Sequence, residues 1–451
     1  VSASLVDWNI GGTKTFRQSS LSFNADYTSM GLYNSLFPDR CDWASPYRKL
    51  SGEMQYKSDI SSACVLKSYV GYDLSSVGQN IDCRNLAFKE HNVYANVTLK
   101  ANIGGGYSLF AGVANSSVIT DIDDALARGD HYYNFRNEVH LKTELRKVFS
   151  LALKMSAGAE DYIRNSKLRY GGYQYHVDYN LLAAHVDAYW RIVPRLFLNV
   201  SGRAEHLGYA GNWMLMPRAT VSYVPDKTFQ ISAMFGRYSQ AAEDEYIAKS
   251  GMSLPQSTSD HAILSLQYNK KKTLVRIEPY YKKYRHLPLQ ADASYTAEGY
   301  GTSKGIDFFF ENHSLVKNLT ATVSYAFNDS ERLYLDYTSL RAPEYASRHN
   351  IRLTAKYSIG KMIFGVAESY ASGRKFTSGT TPYYNSVDAN LTWLVSPKVI
   401  VYTSINNILG RTNVFGFQSD GLPQTASRDR FFYIGIFVSL KNNKAYDISN
   451  F

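Results

Sequence analysis

Two acidic clusters, ten histidines and three cysteines are the residues of this chain with chemistry to offer. Asp121-Ile122-Asp123-Asp124 supplies enough oxygen for a divalent cation, but it lacks the glycine and glutamate of a calcium loop. Glu243-Asp244-Glu245-Tyr246 sets three carboxylates beside a tyrosine. Such a cluster suits a cationic or metal-chelate ligand, or simply solvent. The histidines are scattered and no catalytic constellation stands out, so no enzyme, cofactor or metal centre is expected. Cys41, Cys64 and Cys83 form no CxxC pair, which argues against a zinc or thioredoxin-like site. Cys41 and Cys83 fall in polar loops on one side of the sheet described below, which leaves an oxidised bridge between them open. Gly104-Gly105-Gly106 is not a phosphate loop, because no helix follows it.

The elements that must carry these residues have a period of two. Val93, Ala95, Val97, Leu99 and Ala101 share a face, opposite Asn92, Tyr94, Asn96, Thr98 and Lys100. Val139, Leu141, Thr143 and Leu145 oppose Glu138, His140, Lys142 and Glu144. Leu182, Ala184, Val186, Ala188, Trp190 and Ile192 oppose Ala183, His185, Asp187, Tyr189 and Arg191. The pattern continues through Leu319–Phe327, Ile351–Tyr357 and Val387–Trp393. Alternation over so many segments is a β signature, and no comparably long helical stretch competes. One face is apolar and the other carries charge. A soluble sheet of that kind would need amphipathic helices to cover its apolar face, and the sequence offers none.

No apolar run reaches the roughly 18 residues of a membrane helix. Mean hydropathy is -0.30. A membrane barrel spends every second residue on a polar interior, so that value fits one. The 37 tyrosines suit a membrane interface, where the ring meets acyl chains and the hydroxyl meets water. The net charge of +10 is spread along strands and turns without a stripe, which favours solvated lumen and loop charges and lipid head groups over nucleic acid. On this reading His140 and His185 face the lumen, where a proton or ligand role competes with simple solvation.

The connections alternate in length. Short ones fall at 17–19, 104–106, 193–195, 225–227, 270–272, 360–361 and 396–398; long ones at 30–47, 120–132, 240–259, 287–300, 330–346, 373–384 and 410–428. Short turns on one side and long loops on the other are the layout of outer-membrane barrels, with the short turns periplasmic. The expected fold is therefore all-β: a transmembrane antiparallel up-and-down barrel over residues 1–440, with a short tail at 441–451. Counting strands back from the end predicts about 22, with one up-going strand before Val1 or compressed into the first residues. The sequence shows no secretory leader, so the N-terminus reads as mature or truncated.

The last strand, 430–440, alternates throughout and is expected to close the barrel against the N-terminal edge. Upstream of it lie Met216-Pro217-Arg218, Phe235-Gly236-Arg237-Tyr238, Glu278-Pro279-Tyr280-Tyr281, Arg348-His349-Asn350, Ala371-Ser372-Gly373-Arg374 and Ile405-Asn406-Asn407-Ile408-Leu409-Gly410. In order and spacing this set, from about 180 to 440, resembles the TonB-dependent outer-membrane receptors. Tyr433, Gly435, Val438 and Leu440 resemble that family's insertion signal, which implies the barrel assembly machinery as a partner. The resemblance also implies a lumen-filling plug domain, absent from this chain, through which a TonB-type complex drives uptake of a scarce ligand: a siderophore, glycan, peptide or cobalamin-like molecule. A surface lipoprotein is a further partner to consider. The alternative is a passive pore, or a plugged scaffold for other proteins.

Overall fold

The computed structural model of the chain describes residues 6–31, 44–81, 84–126, 130–313, 316–417, 421–425 and 430–438. It is an antiparallel meander. Strands β1 (Val6–Thr15) and β2 (Ser19–Ser29) lead into a tall wall. That wall is β3 (Ser45–Ser61), β4 (Cys64–Ile81), β5 (Arg84–Gly104), β6 (Tyr107–Leu126), β7 (Asp130–Val148), β8 (Leu153–Tyr170) and β9 (Tyr173–Val193). Shorter strands follow: β10 (Leu196–Leu207), β11 (Trp213–Tyr223), β12 (Phe229–Gln240) and β13 (Ser257–Lys270), with helix α1 (Asp244–Lys249) before β13. A second tall pair, β14 (Thr273–Ala291) and β15 (Ser294–Asn312), precedes β16 (Leu319–Leu333), β17 (His349–Ile359) and β18 (Met362–Ala371). The ribbon β19 (Lys375–Phe376) and β20 (Gly379–Thr380) lies before β21 (Tyr384–Ser396) and β22 (Val399–Asn406). A second ribbon, β23 (Val414–Phe417) and β24 (Pro423–Thr425), precedes β25 (Phe431–Val438).

Apart from the ribbons, the strands pair in chain order into one 21-stranded sheet. The register carries the sequence pattern across strands. Val97 lies opposite Val113, Val113 opposite Leu141, and Leu145 opposite Leu109, so the apolar faces form one continuous outer band. Val97, Val113, Leu141, Leu145, Val186 and Trp190 are all exposed on it. The alternate positions line the interior with charge and amide groups. Side chains of opposite character stay on opposite faces because a one-residue slip would exchange them.

Strict alternation of 21 strands leaves β1 and β25 pointing the same way. No pairing between them occurs among the described residues. The seam expected between 430–440 and the N-terminal edge is therefore not formed there, since antiparallel closure needs neighbours of opposite sense. Cys41, Cys83, Leu440 and the tail at 441–451 lie outside the described residues. Cys64, at the start of β4, is a free thiol.

The expected short turns occur where the sequence places them. Gly104, Gly105 and Gly106 have φ of 86°, 56° and 81°, a run that only glycine adopts without strain. Two expected loops are instead strand. β6 and β7 run through 120–126 and 130–132, and β14 and β15 meet at a tight turn inside 287–300. The cause is backbone satisfaction: each N–H and C=O keeps its cross-strand partner as long as the ladder continues. β5, of 21 residues, is about 70 Å long at strand rise, roughly twice what a tilted strand needs to cross the membrane. The expected loops at 240–259, 330–346 and 373–384 lie outside the large sheet for most of their length, at 241–256, 334–346 and 373–383.

Candidate functional site

The mouth has two sides. On the first, the segment between β12 and β13 reaches over to the inner face of the tall wall. Asp244, at the first position of α1, is buried. Its carboxylate lies 3.2 Å from Nη1 of Arg164 on β8 and 3.4 Å from Nε of Arg136 on β7. Arg164 also donates from Nε and Nη2 to Glu138, at 3.1 and 2.8 Å, and from Nη1 to the Tyr179 hydroxyl at 3.4 Å. Ile247, wholly buried, packs with Val177, Ala242 and Leu254. Burying such a side chain contributes about 2 kcal/mol. Tyr246 stacks on Tyr295 of β15 at 4.4 Å, and Ser294 donates to the Lys249 carbonyl at 3.0 Å. Burial among these groups pushes the phenols of Tyr209 and Tyr246 above their ordinary value. The far end of the segment is fixed by Gln256, which is buried and donates to Glu205 at 2.8 Å. Glu205 joins a wall network with Arg203 at 2.6 Å; Arg203 reaches Glu160 at 2.8 Å, and Glu160 reaches Lys142 at 2.8 Å.

The second side is built of arginine and tyrosine. Arg332, at the top of β16, lies over the Tyr284 ring at 4.2 Å, and the rings of Tyr334 and Tyr345 are 5.9 and 5.8 Å away. Arg341 lies 4.0 Å over Tyr337, bonds Glu344 at 2.5 Å and donates to Thr377 at 2.7 Å. The Arg341–Thr377 bond ties the β16–β17 loop to the β18–β21 loop. Arg411 lies 3.9 Å over Tyr383. The Nε–H groups of Arg332, Arg341 and Arg411 are buried without a hydrogen-bond partner among the described residues. Burial beside Tyr345 and Tyr337 raises the Tyr334 phenol, so it stays protonated and can donate at physiological pH.

Of the residues singled out from sequence, Glu243 and Glu245 line a cavity of about 110 Å³ beside Asp244, and Glu245 also pairs with Lys249 at 2.6 Å. The acidic segment is thus docked on arginines and not freely solvated. Asp121 meets His131, which the sequence reading did not connect to it; Nε2 lies 2.6 Å from Asp121 and 3.8 Å from Asp123. That exposed pair satisfies itself by hydrogen bonding. His140 stacks on Tyr162 at 4.0 Å, and His185 lies 3.7 Å from Glu144, both on the inner wall as expected. Tyr433 folds across Gly435: a Cβ there would sit 2.7 Å from the Tyr433 hydroxyl. Asn407, in the Asn-Asn-x-x-Gly run, has φ of 48° and exchanges side-chain hydrogen bonds with the Arg411 backbone at 2.8 and 3.2 Å. That clasp positions Arg411 for its stack on Tyr383.

Residues 6–408 match the family described as TonB dependent receptor-like, beta-barrel. The chain belongs to that family. This membership places it in the outer membrane as a receptor or transporter, not an enzyme, and implies coupling to a TonB-type complex. The short-turn end of the barrel is then periplasmic and the arginine–tyrosine mouth extracellular. Solved structures share the fold at low identity. The ferric-catecholate import receptor Fiu of Escherichia coli K12 is 10% identical, with a TM-score of 0.77 over 97% of this chain and 80% of its own. The FrpB iron transporter of Neisseria meningitidis is 11% identical, with a TM-score of 0.77 over 96% and 79%. The outer-membrane transporter YddB of Escherichia coli is 11% identical, with a TM-score of 0.76 over 96% and 75%. No curated protein matches the chain.

Proposed function

We propose that this receptor barrel takes up an anionic metal chelate of the siderophore class, captured at its mouth and drawn inward by the TonB-type complex acting on a lumen-filling plug. The observation that carries the reading is the set of Arg332, Arg341 and Arg411, each stacked on a tyrosine. A guanidinium over a ring can keep in-plane donors for an anion, as Arg332 does among the described residues, while Arg341 and Arg411 give part of theirs to Glu344, Thr377 and the Tyr383 carbonyl; the rings supply flat contact area for an aromatic or ring-bearing chelate. Fold neighbours named for ferric-catecholate import and iron transport support the same class. The Glu243–Tyr246 segment is the part of the mouth that responds to ligand. Tyr433, Gly435, Val438 and Leu440 serve the assembly machinery. The test is growth of a deletion strain on single iron sources: ferric catecholates should need the gene while glycans do not, and the reverse would overturn the ligand class.

A further inference from the structure

Asp244 sits where a ligand carboxylate could sit. It is supplied by a loop, it is buried, and it meets two guanidinium groups that belong to the rigid wall. Without it, Arg164 would keep Glu138 and Arg136 would have no ion-pair partner among the described residues. The wall would then hold an uncompensated positive charge, a costly state in a half-buried position. Its Oδ2 makes no hydrogen bond among the described residues, so the loop carboxylate fills the charge requirement without filling the geometry. The adjoining cavity of about 110 Å³ is lined on the wall side by Tyr132, Asn134, Ser166 and Tyr175, which add neutral donors, and on the loop side by Glu243 and Glu245, which belong to the α1 segment. Arg136 remains half-exposed and open to approach from the mouth.

We propose that Arg136 and Arg164 form a carboxylate-binding site that Asp244 occupies in place of ligand. An incoming carboxylate takes over the two guanidinium groups and Asp244 leaves with the α1 segment, so binding and loop release are one exchange. Charge is conserved at the wall throughout. The proposal rests on reading the mouth as a ligand-collecting surface, but not on uptake, and its test reads binding alone.

Citrate serves as the probe, with the purified barrel in detergent and isothermal titration calorimetry as the readout. Removing the competitor with Asp244→Asn should tighten citrate binding about tenfold, because the competent fraction of the site rises. Adding Arg136→Gln to Asp244→Asn should return affinity to the wild-type level or below. No gain with Asp244→Asn, or no loss with Arg136→Gln, overturns the proposal. A second readout needs no variant. Saturating citrate should speed trypsin cleavage after Lys249 severalfold in the unaltered chain, since α1 is released. Unchanged or slower cleavage overturns the exchange. Failure of the growth test with these binding results intact would sink the uptake reading alone.

Discussion

The two sides of the mouth contain the same cation in different company. On the α1 side the arginines meet carboxylates: Arg164 holds Glu138 and Asp244, and Arg203 holds Glu160 and Glu205. On the second side Arg332, Arg341 and Arg411 meet tyrosine rings, and Arg341 meets Glu344 as well. A carboxylate consumes the planar donors of a guanidinium, whereas a ring occupies only its face. The first side is therefore self-satisfied and holds a loop in place. On the second, Arg332 keeps its in-plane donors free of any partner among the described residues, while Arg341 and Arg411 give part of theirs to Glu344, Thr377 and the Tyr383 carbonyl. The tall strands supply the fixed partners, Arg136 and Arg164 from β7 and β8 and Tyr284 and Tyr295 from β14 and β15, while the shorter strands carry the loops that reach them.

The largest expected effect comes from breaking the self-satisfied side. Arg164→Ala leaves Glu138 and Asp244 without their shared partner, at a cost of about 3 kcal/mol to docking of the α1 segment. Trypsin cleavage after Lys249 should then rise by roughly a hundredfold; an unchanged rate would show that the apolar cluster alone holds the loop. Next is Arg332→Lys, which keeps the charge but loses the planar fork. Affinity for a ferric catecholate should fall by about 1–2 kcal/mol, read by intrinsic fluorescence quenching. Tyr284→Leu removes only the ring beneath that arginine and should cost about 1 kcal/mol in the same assay. If it costs more than Arg332→Lys, the ring and not the cation is the principal contact. The smallest effect lies far from the mouth. Asp226 caps its turn by accepting from the Thr228 and Phe229 N–H groups at 2.6 and 3.1 Å, which lowers its carboxyl below the ordinary value. Its contribution is present above the unfolded carboxylate pKa and fades as pH falls through the depressed one. Asp226→Ala should flatten that acid limb slightly in thermal melts and leave ligand binding alone.

Much of the frame was legible because alternation is local. The faces of Val93–Ala101 and Val139–Leu145 survive unchanged in the sheet, and so do the positions of the short turns. The height of the walls was not legible. Tyr132, Asn134, Arg136 and Glu138 read as loop or lumen by composition, and only cross-strand pairing shows that the ladder continues through them. The acidic cluster at 243–246 was visible, but its partners Arg164 and Arg136 lie 80 residues and more upstream on other strands. The arginine–tyrosine side was missed. Its one local signal was Arg332-Leu333-Tyr334-Leu335-Asp336-Tyr337, an arginine followed by two tyrosines at the end of a strand. Tyr284 reaches Arg332 from β14, and Thr377 reaches Arg341 from the β18–β21 loop, so both join it only once the strands are paired.

The most direct test is energised uptake of a ferric catecholate labelled with radioactive iron, in cells carrying this receptor as their sole route for it. Uptake should stop when the proton gradient of the inner membrane is collapsed, and Arg332→Ala should reduce it to near background with the gradient intact. Uptake that continues unchanged without the gradient would contradict active transport and establish a passive pore instead.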